Sequence, residues 1–514
     1  MSTTVFSRPG VYVQENVVQQ NITALSNRSD AIAAFIGNLP KGPVTPTVVR
    51  SWSEFVKIFG GLNYAYPTTV TAYLFFSNGG RDAYIRRTLG TGSASATAPI
   101  TGMNSASPSV EVTALTATAI NPGTWGNDLG LEVVNTDGRF SIAVYGKPLT
   151  ATSGTRSNLL EQFNDLSITS TDSRYAIAYV NAFSSYIRLA TTTAGVIPKS
   201  GEGLVAFTSG ADGAAPVKAQ FDSAYPQFDN IDTPLIFNLP DLAYWTTSTD
   251  ASTALSALLT YAENRGDSFV VVDSHYEDTV ADVTQFAVSV KNANSGANAA
   301  IYYPWLVIPD TSRSTPGVVT TAPPGGAVIG QYQATDIARG VFKTPAGYGN
   351  RVSVAVGLEK RLTNAELDTL NSAAAPVNAL RVAPGSGIII MGGRTMAATT
   401  PNRYINMRRS LIYVKKELTD RSQFAVFENN DEYLWNAIRT KLSAFLNQYW
   451  QAGGLRGVTP AEAFYVKCDR TTNTDSDIAN GRVNIEIGIA LEYPAEFVVI
   501  TIGQISGSAA VVQG

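Results

Sequence analysis

The sequence predicts an α/β (α+β) chain of several domains, with mixed sheets flanked by helices at its core, an inserted mainly β region and extended β arms at both ends. Three observations lead there. Largely apolar runs at 235–240 (LIFNLP) and 269–273 (FVVVD) bracket a helical stretch at 253–264, the pattern of strands buried on both faces between helices. Between 110 and 207, segments such as LGLEVVN, FSIAVYG and SYIRLA alternate with period two between turn residues, as in a small mainly β unit. Near the end, 429–454 reads as a well-delimited helix, and FVVITI at 497–502 is apolar on both faces beside a chain end, where strands usually fray.

Taken in order, VYVQE at 11–15 follows an Arg-Pro-Gly turn and favours a strand, with no hairpin partner next to it. AIAAFIG at 31–37 reads as a short buried strand, 53–60 as a capped helix ended by glycine, 68–78 as a helix stopped by Gly79 and Gly80, and 83–87 as the following strand. From Gly90 to about Ser109 the chain is mostly Gly, Ser, Thr and Ala without periodicity, which predicts a linker; a second flexible stretch is predicted at 208–213. AAIYYPWLVIP at 299–309 adds another strand to the core.

The late helix places Leu434, Ile438, Leu442, Phe445, Leu446 and Tyr449 on one face. Asn429 is its predicted cap, Glu432 takes the capping-box position, and Gly453 with Gly454 supplies the stop. The segment 473–481, between two strands, reads as a polar turn.

Composition narrows the function. Of 514 residues, 44% are hydrophobic and 15% charged, against about 25% charged in ordinary domains. A surface so poor in charge suggests cover by an assembly. A net charge of −4 offers no basic field for nucleic acid, and no apolar run reaches the ~18 residues of a membrane span. The N-terminus lacks a signal-peptide pattern, so the expectation is a soluble protein without membrane insertion. One cysteine, Cys468 in an alternating strand, excludes an intrachain disulfide and reads as a buried thiol.

Candidate chemistry is sparse. His275, the one histidine, lies two residues after Asp273 at the end of a buried strand, where an α/β hydrolase could use the pair, but no G-x-S-x-G elbow accompanies them. The oxygen-rich stretch 473–481 resembles a calcium loop loosely and lacks the twelfth-position glutamate. PPGGAVIG at 323–330 and PGSG at 384–387 match no nucleotide fingerprint and read as turns between core elements. The expectation is a chain that is not an enzyme and needs no metal or cofactor.

Several segments resemble landmarks of contractile tail sheath proteins: PGVYVQE at the start, NPGTWGNDLGLEV at 121–133, YYPWLVIPD at 302–310 and PPGGAVIGQYQATDIARGVFKTPAG at 323–347. LEKRLTNAELDTLN at 358–371, GSGIIIMGGRT at 385–395, RYINMRRSLIYV at 403–414 and the terminal helix through PAEFVVITI continue in family order. The resemblance implies a structural subunit that polymerises as stacked hexameric rings around an inner tube, in a virion tail or phage-tail-like particle assembled in the bacterial cytoplasm. It further implies that the sheath contracts to drive the tube through a target envelope, with baseplate and tail terminator proteins as further partners. On this reading 1–22 is an N-terminal arm, 23–95 the first core segment, 96–215 an inserted outer domain, 216–394 an α/β middle domain, 395–490 a tube-proximal core domain and 491–514 a C-terminal arm. The arm strands would be Val11, Tyr12, Val13, Gln14 and Glu15 with Phe497, Val498, Val499, Ile500, Thr501 and Ile502. The helix at 431–451 would face the tube through Asn436, Arg439, Thr440, Lys441, Ser443 and Asn447.

Overall fold

The computed structural model describes residues 31–496, apart from 105–106, 148–157, 202, 314, 316, 398 and 400. The predicted arm strands at 11–15 and 497–502 lie outside the described residues. Chain entry is through β1 (Ile32–Asn38), where Ala33 and Phe35 join one apolar cluster and Ala34 and Ile36 another. After β2 (Thr47–Val49), α1 (Trp52–Phe59) begins where the Ser51 side chain accepts from the Glu54 N–H and ends at Gly60, with φ 101°. α2 (Pro67–Ser77) starts on a proline, which suits a first turn, and β3 (Ala83–Thr88) follows it. The predicted αβ alternation is present.

A mainly β unit comes next, as expected: β4 (Thr97–Asn104), β5 (Ser107–Ala119), β6 (Gly130–Thr136), β7 (Arg139–Tyr145), β8 (Leu159–Leu166), α3 (Ala176–Phe183), β9 (Ile187–Thr191) and β10 (Val205–Ala206). They form two sheets, β4-β5-β9 and β10-β6-β7-β8, around an apolar cluster of their own that includes Leu115, Ile142, Leu166 and Val180. The predicted linkers are not loose. Residues 97–104 are strand β4, and the two connecting stretches pair with each other: Ala94 and Ala211 exchange both backbone hydrogen bonds at 2.9 Å, as do Thr97 and Thr208 at 2.8 and 3.0 Å. Threonine favours extended backbone, and small Ala and Gly side chains let the strands approach closely, so a composition typical of linkers here builds a two-stranded stalk.

The core resumes with α4 (Lys218–Asp222), β11 (Leu235–Asn238), α5 (Ser248–Arg265), β12 (Ser268–Asp273) and α6 (Val280–Lys291). α5 starts well before the predicted 253 because Thr247 caps it, accepting from the Asp250 N–H. The predicted single strand at 299–309 is two, β13 (Ala299–Tyr303) and β14 (Leu306–Pro309), which belong to different sheets. Then come β15 (Val319–Ala322), α7 (Gly325–Arg339), β16 (Gly357–Leu358), α8 (Asn364–Ser372), β17 (Val377–Ala383) and β18 (Gly387–Ile390). The 384–387 turn is the β17–β18 hairpin, whereas PPGGAVIG is no turn but the buried start of α7. Its glycines are packing devices: a Cβ on Gly326 would stand 2.2 Å from the Thr71 carbonyl oxygen, and one on Gly330 2.6 Å from that of Phe75, both on α2.

Eight strands make the main sheet, in the order β18-β17-β13-β12-β11-β1-β3-β2. The six from β17 to β3 run parallel, and β18 and β2 close the edges antiparallel. α1, α2 and α7 cover one face with Phe55, Phe75 and Val328; α4, α5, α6 and α8 cover the other with Phe221, Leu258, Val283 and Leu370. The order in which the chain adds strands reverses between β1 and β11, which makes a doubly wound sheet.

The last region holds α9 (Ile405–Ser422), α10 (Glu432–Gln451), β19 (Phe464–Lys467), α11 (Asp475–Ala479) and β20 (Glu486–Ile489). All six predicted core positions of α10 are buried. Its cap is Asp431 rather than Asn429, since the Asp431 side chain accepts from the Leu434 N–H, and Gly453 takes the left-handed stop at φ 86°. The 473–481 turn contains α11, started by a Thr474–Asp477 capping box. Among the described residues no helix is long and apolar enough to cross a membrane.

Candidate interaction surfaces

α10 has two unlike sides. Inward, Leu434, Ile438, Leu442, Phe445, Leu446 and Tyr449 join Val414 and Leu418 of α9 in one apolar cluster, with residues of β19 and β20 packed at its margin. Outward, the six predicted contact residues divide. Asn436, Thr440 and Lys441 are exposed, while Arg439, Ser443 and Asn447 are half-buried.

Arg439 is engaged within the chain, donating from one terminal nitrogen to the Cys468 carbonyl at 3.0 Å and from the other to Asn436 Oδ1 at 3.2 Å. Lys441 Nζ lies 4.2 Å from the ring centre of Phe424, a cation–π contact. Tyr433, Ala444 and Gln448 are exposed as well and continue the Thr440 stripe in steps of seven and four. A search for polar side chains passes over Tyr433 and Ala444. The helical step from Thr440 would have found them.

β19 and β20 form a two-stranded antiparallel ribbon, Phe464 opposite Ile489 and Lys467 opposite Glu486. Among the described residues each strand pairs only with the other, so each has an open edge. Their side chains are half-buried, apart from exposed Glu486. A two-stranded ribbon of this length is marginal by itself and gains from added strands. Just past it Glu496 is pinned: Arg394 donates to both its carboxylate oxygens at 2.7 and 2.8 Å, and the Tyr404 hydroxyl lies 3.1 Å away.

Asp273 and His275 do not form a catalytic pair. Asp273 is buried and accepts from the Gly325 N–H at 2.6 Å, at the start of α7, and from Asn238 Nδ2 at 2.8 Å. Burial pushes its carboxyl up to about 6 despite those donors. His275 donates from Nε2 to the Trp245 carbonyl at 2.6 Å, and its acidic neighbour is Asp278, 3.6 Å from Nδ1. The strand-end carboxylate thus anchors a helix N-terminus.

The 473–481 carboxylates are likewise engaged locally. Asp477 accepts from the Thr474 N–H at 3.0 Å and from its hydroxyl at 2.6 Å, which holds its carboxyl below the usual range. Among the described residues no cluster of three His, Cys, Asp or Glu side chains could hold a metal ion. Cys468 is buried, with its thiol pushed up to about 11 by burial.

Comparison with known proteins places this architecture. Residues 398–505 match the phage tail sheath C-terminal domain. The tail sheath protein of Vibrio phage KVP40 is 28% identical over 159 residues, 30% of this chain but only 22% of that longer protein. Likeness of fold runs nearly end to end. The helical sheath of the anti-feeding prophage in its contracted state aligns over 97% of this chain and 100% of that one, at 19% identity and a TM-score of 0.58. The sheath complex of an extracellular contractile injection system, PVC, in its contracted state aligns over 98% and 99%, at 18% identity and a TM-score of 0.57. The C-terminal end thus matches a tail sheath domain, tail sheath proteins share just under a third of the chain, and the fold along its whole length is that of contractile sheath chains.

Proposed function

We infer that this chain is the structural subunit of a contractile sheath in a phage tail or tail-like particle. Copies stack as hexameric rings around an inner tube and, on a signal from the baseplate, repack into a shorter helix that drives the tube through a target envelope. Tail terminator proteins close the far end. The role is mechanical, with work drawn from the free-energy difference between two packings of the same subunits. One observation carries this reading: the chain aligns over 97–98% of its length with sheath chains from contracted particles, so its whole architecture fits a sheath subunit.

On this reading 96–215 is an outer insertion, 23–95 and 216–394 form the core and middle, and 395–490 lies nearest the tube. The arms at 1–22 and 491–514 join neighbouring copies. The open edges of the β19–β20 ribbon suit strands from Val11–Glu15 and Phe497–Ile502 of other subunits, and the pinned Glu496 would fix where the C-terminal arm departs. Each added strand contributes about five backbone hydrogen bonds at ~0.5–1.5 kcal/mol net, a modest sum made effective by repetition over the lattice.

The outer stripe of α10, polar and nearly uncharged, suits a tube contact that must release. Electron microscopy of the purified protein tests the reading. Wild-type chain is expected to form long sheaths, whereas a chain lacking residues 1–16 stays a folded monomer. Normal sheaths from the shortened chain would sink the arm assignment, and an obligate wild-type monomer would sink the whole reading.

A further inference from the structure

Residues 425–428 form a tight turn closed by the Glu428 N–H donating to the Ala425 carbonyl at 3.3 Å. Val426 has φ −71° and ψ 125°, and Phe427 has φ 68°, which is type II geometry. The third position of that turn needs left-handed backbone, which glycine or asparagine adopts readily and a bulky aromatic does not. Phe427 gains nothing for this strain inside its own fold: its side chain is 88% exposed. Six residues on, in the first turn of α10, Tyr433 is 84% exposed. Glu428, Asp431 and Glu432 are exposed between them; Asp431 caps α10 and Glu432 pairs with Arg470 at 3.2 Å, while Glu428 stands directly beside Phe427.

A strained turn that holds an aromatic ring out into water is unfavourable to the monomer twice over. Such features persist where a partner compensates both. We propose that Phe427 is a docking knob that enters an apolar recess edged by arginine or lysine on a second copy of this chain.

Two observations favour a second copy over the tube. Beyond Tyr433 the outer stripe of α10 is mostly polar, which suits a contact that lets go; an apolar knob on a strained turn suits one that is kept. The chain itself also carries a basic edge: Arg351 and Arg381, both exposed, stand either side of Ile389 across β17, β18 and the strand-like segment beside them, with Val382 exposed next to Arg381. A contact between unlike surfaces of identical copies runs head to tail and propagates into an open helix. The proposal rests on the sheath reading and names a contact within it.

The test uses full-length protein with Phe427→Gly and Phe427→Tyr, comparing the melting temperature of unassembled chain with the concentration at which sheaths pellet. Glycine is expected to leave the melting temperature unchanged or raise it, since it relieves the turn, and to raise the assembly concentration at least tenfold; tyrosine is expected to assemble like wild type. A Phe427→Gly chain that polymerises at the wild-type concentration overturns the proposal. So does one that melts lower, which would place the ring inside its own fold. A variant that polymerises normally alone but no longer co-sediments with purified tube subunit overturns the choice of partner. Wild-type chain that never polymerises overturns the sheath reading beneath the proposal, a result distinct from a wild-type polymer indifferent to residue 427.

Discussion

Arg409 of α9 and Asp336 of α7 form a bidentate ion pair with both side chains nearly or wholly buried, tying the C-terminal helices to the main sheet. The guanidinium also lies 4.7 Å from the centre of the Tyr332 ring, and the Tyr332 hydroxyl meets that of Tyr302 on β13 at 2.6 Å. A continuous polar path thus runs from α9 to the centre of the sheet. Removing one charge leaves the other buried and uncompensated, which costs about 3–5 kcal/mol, whereas replacing both by apolar groups is far less harmful. Arg409→Met is therefore expected to lower the denaturation midpoint sharply, and Arg409→Met with Asp336→Leu to recover most of the loss. Equal damage in single and double variants would show that packing around the pair, and not charge, governs this joint.

The paired stalk between the core and the mainly β unit makes a second claim testable. A Cβ on Gly90 would stand 1.7 Å from the Ala214 carbonyl oxygen, a backbone atom that cannot turn aside. Nearby, buried Arg87 donates to the Leu39 carbonyl at 2.7 Å and the Pro122 carbonyl at 2.6 Å, clasping both units. Gly90→Ala is expected to destabilise by ~1–3 kcal/mol through overpacking. If this stretch were the flexible linker that its composition suggests, the substitution would be neutral in a thermal melt.

Two buried carboxyls predict a pH dependence. Asp241 lies beside the N-terminus of α2, accepting from the Asn38 N–H and, at 3.2 Å, from the Thr68 hydroxyl, and burial pushes it up to about 7; Asp273 is pushed up to about 6. Both stand above the ~3.9 of an unfolded aspartate, so the folded chain holds protons that the unfolded chain has released. Their contribution is full below about pH 4, falls as pH rises toward 6–7, and is level above. Carboxyls held low, such as half-buried Glu366 and Asp477, act in the opposite sense. The clean measurement is the wild-type curve minus that of Asp241→Asn. That difference should decline between about pH 4 and 7 by a few kcal/mol at most; a flat difference would refute the assignment.

These contacts mark where the sequence was legible. The apolar runs at 235–240 and 269–273 specified parallel strands because they are buried on both faces, and the period of α10 specified its core side residue by residue. Composition misled at 90–109, where Thr and Ala are as compatible with a close-packed strand pair as with a linker, and only the partner segment at 208–213 decides between them. PPGGAVIG resembles a turn in sequence because glycine usually marks one; its close approach to α2 is a long-range fact that no local pattern carries. The proposed tube face was half legible: Asn436 and Thr440 are exposed as read, but Arg439 binds the Cys468 carbonyl, 29 residues away in sequence.

That last contact changes how the α10 surface should be probed. Reversing Arg439 removes its bonds to Cys468 and Asn436 and is expected to lower the stability of the monomer by ~1–3 kcal/mol, so any assembly defect in Arg439→Glu would be ambiguous. Thr440 and Asn436 are exposed and flank the same stripe. Thr440→Glu should leave the melting temperature within a degree or two, because exposed helix positions away from special contacts tolerate charge. If the stripe meets the tube, a new carboxylate desolvated there should weaken co-sedimentation with tube protein by tenfold or more while sheath–sheath polymerisation persists. Unchanged tube binding by Thr440→Glu would assign the stripe to solvent and leave α10 with its packing role alone.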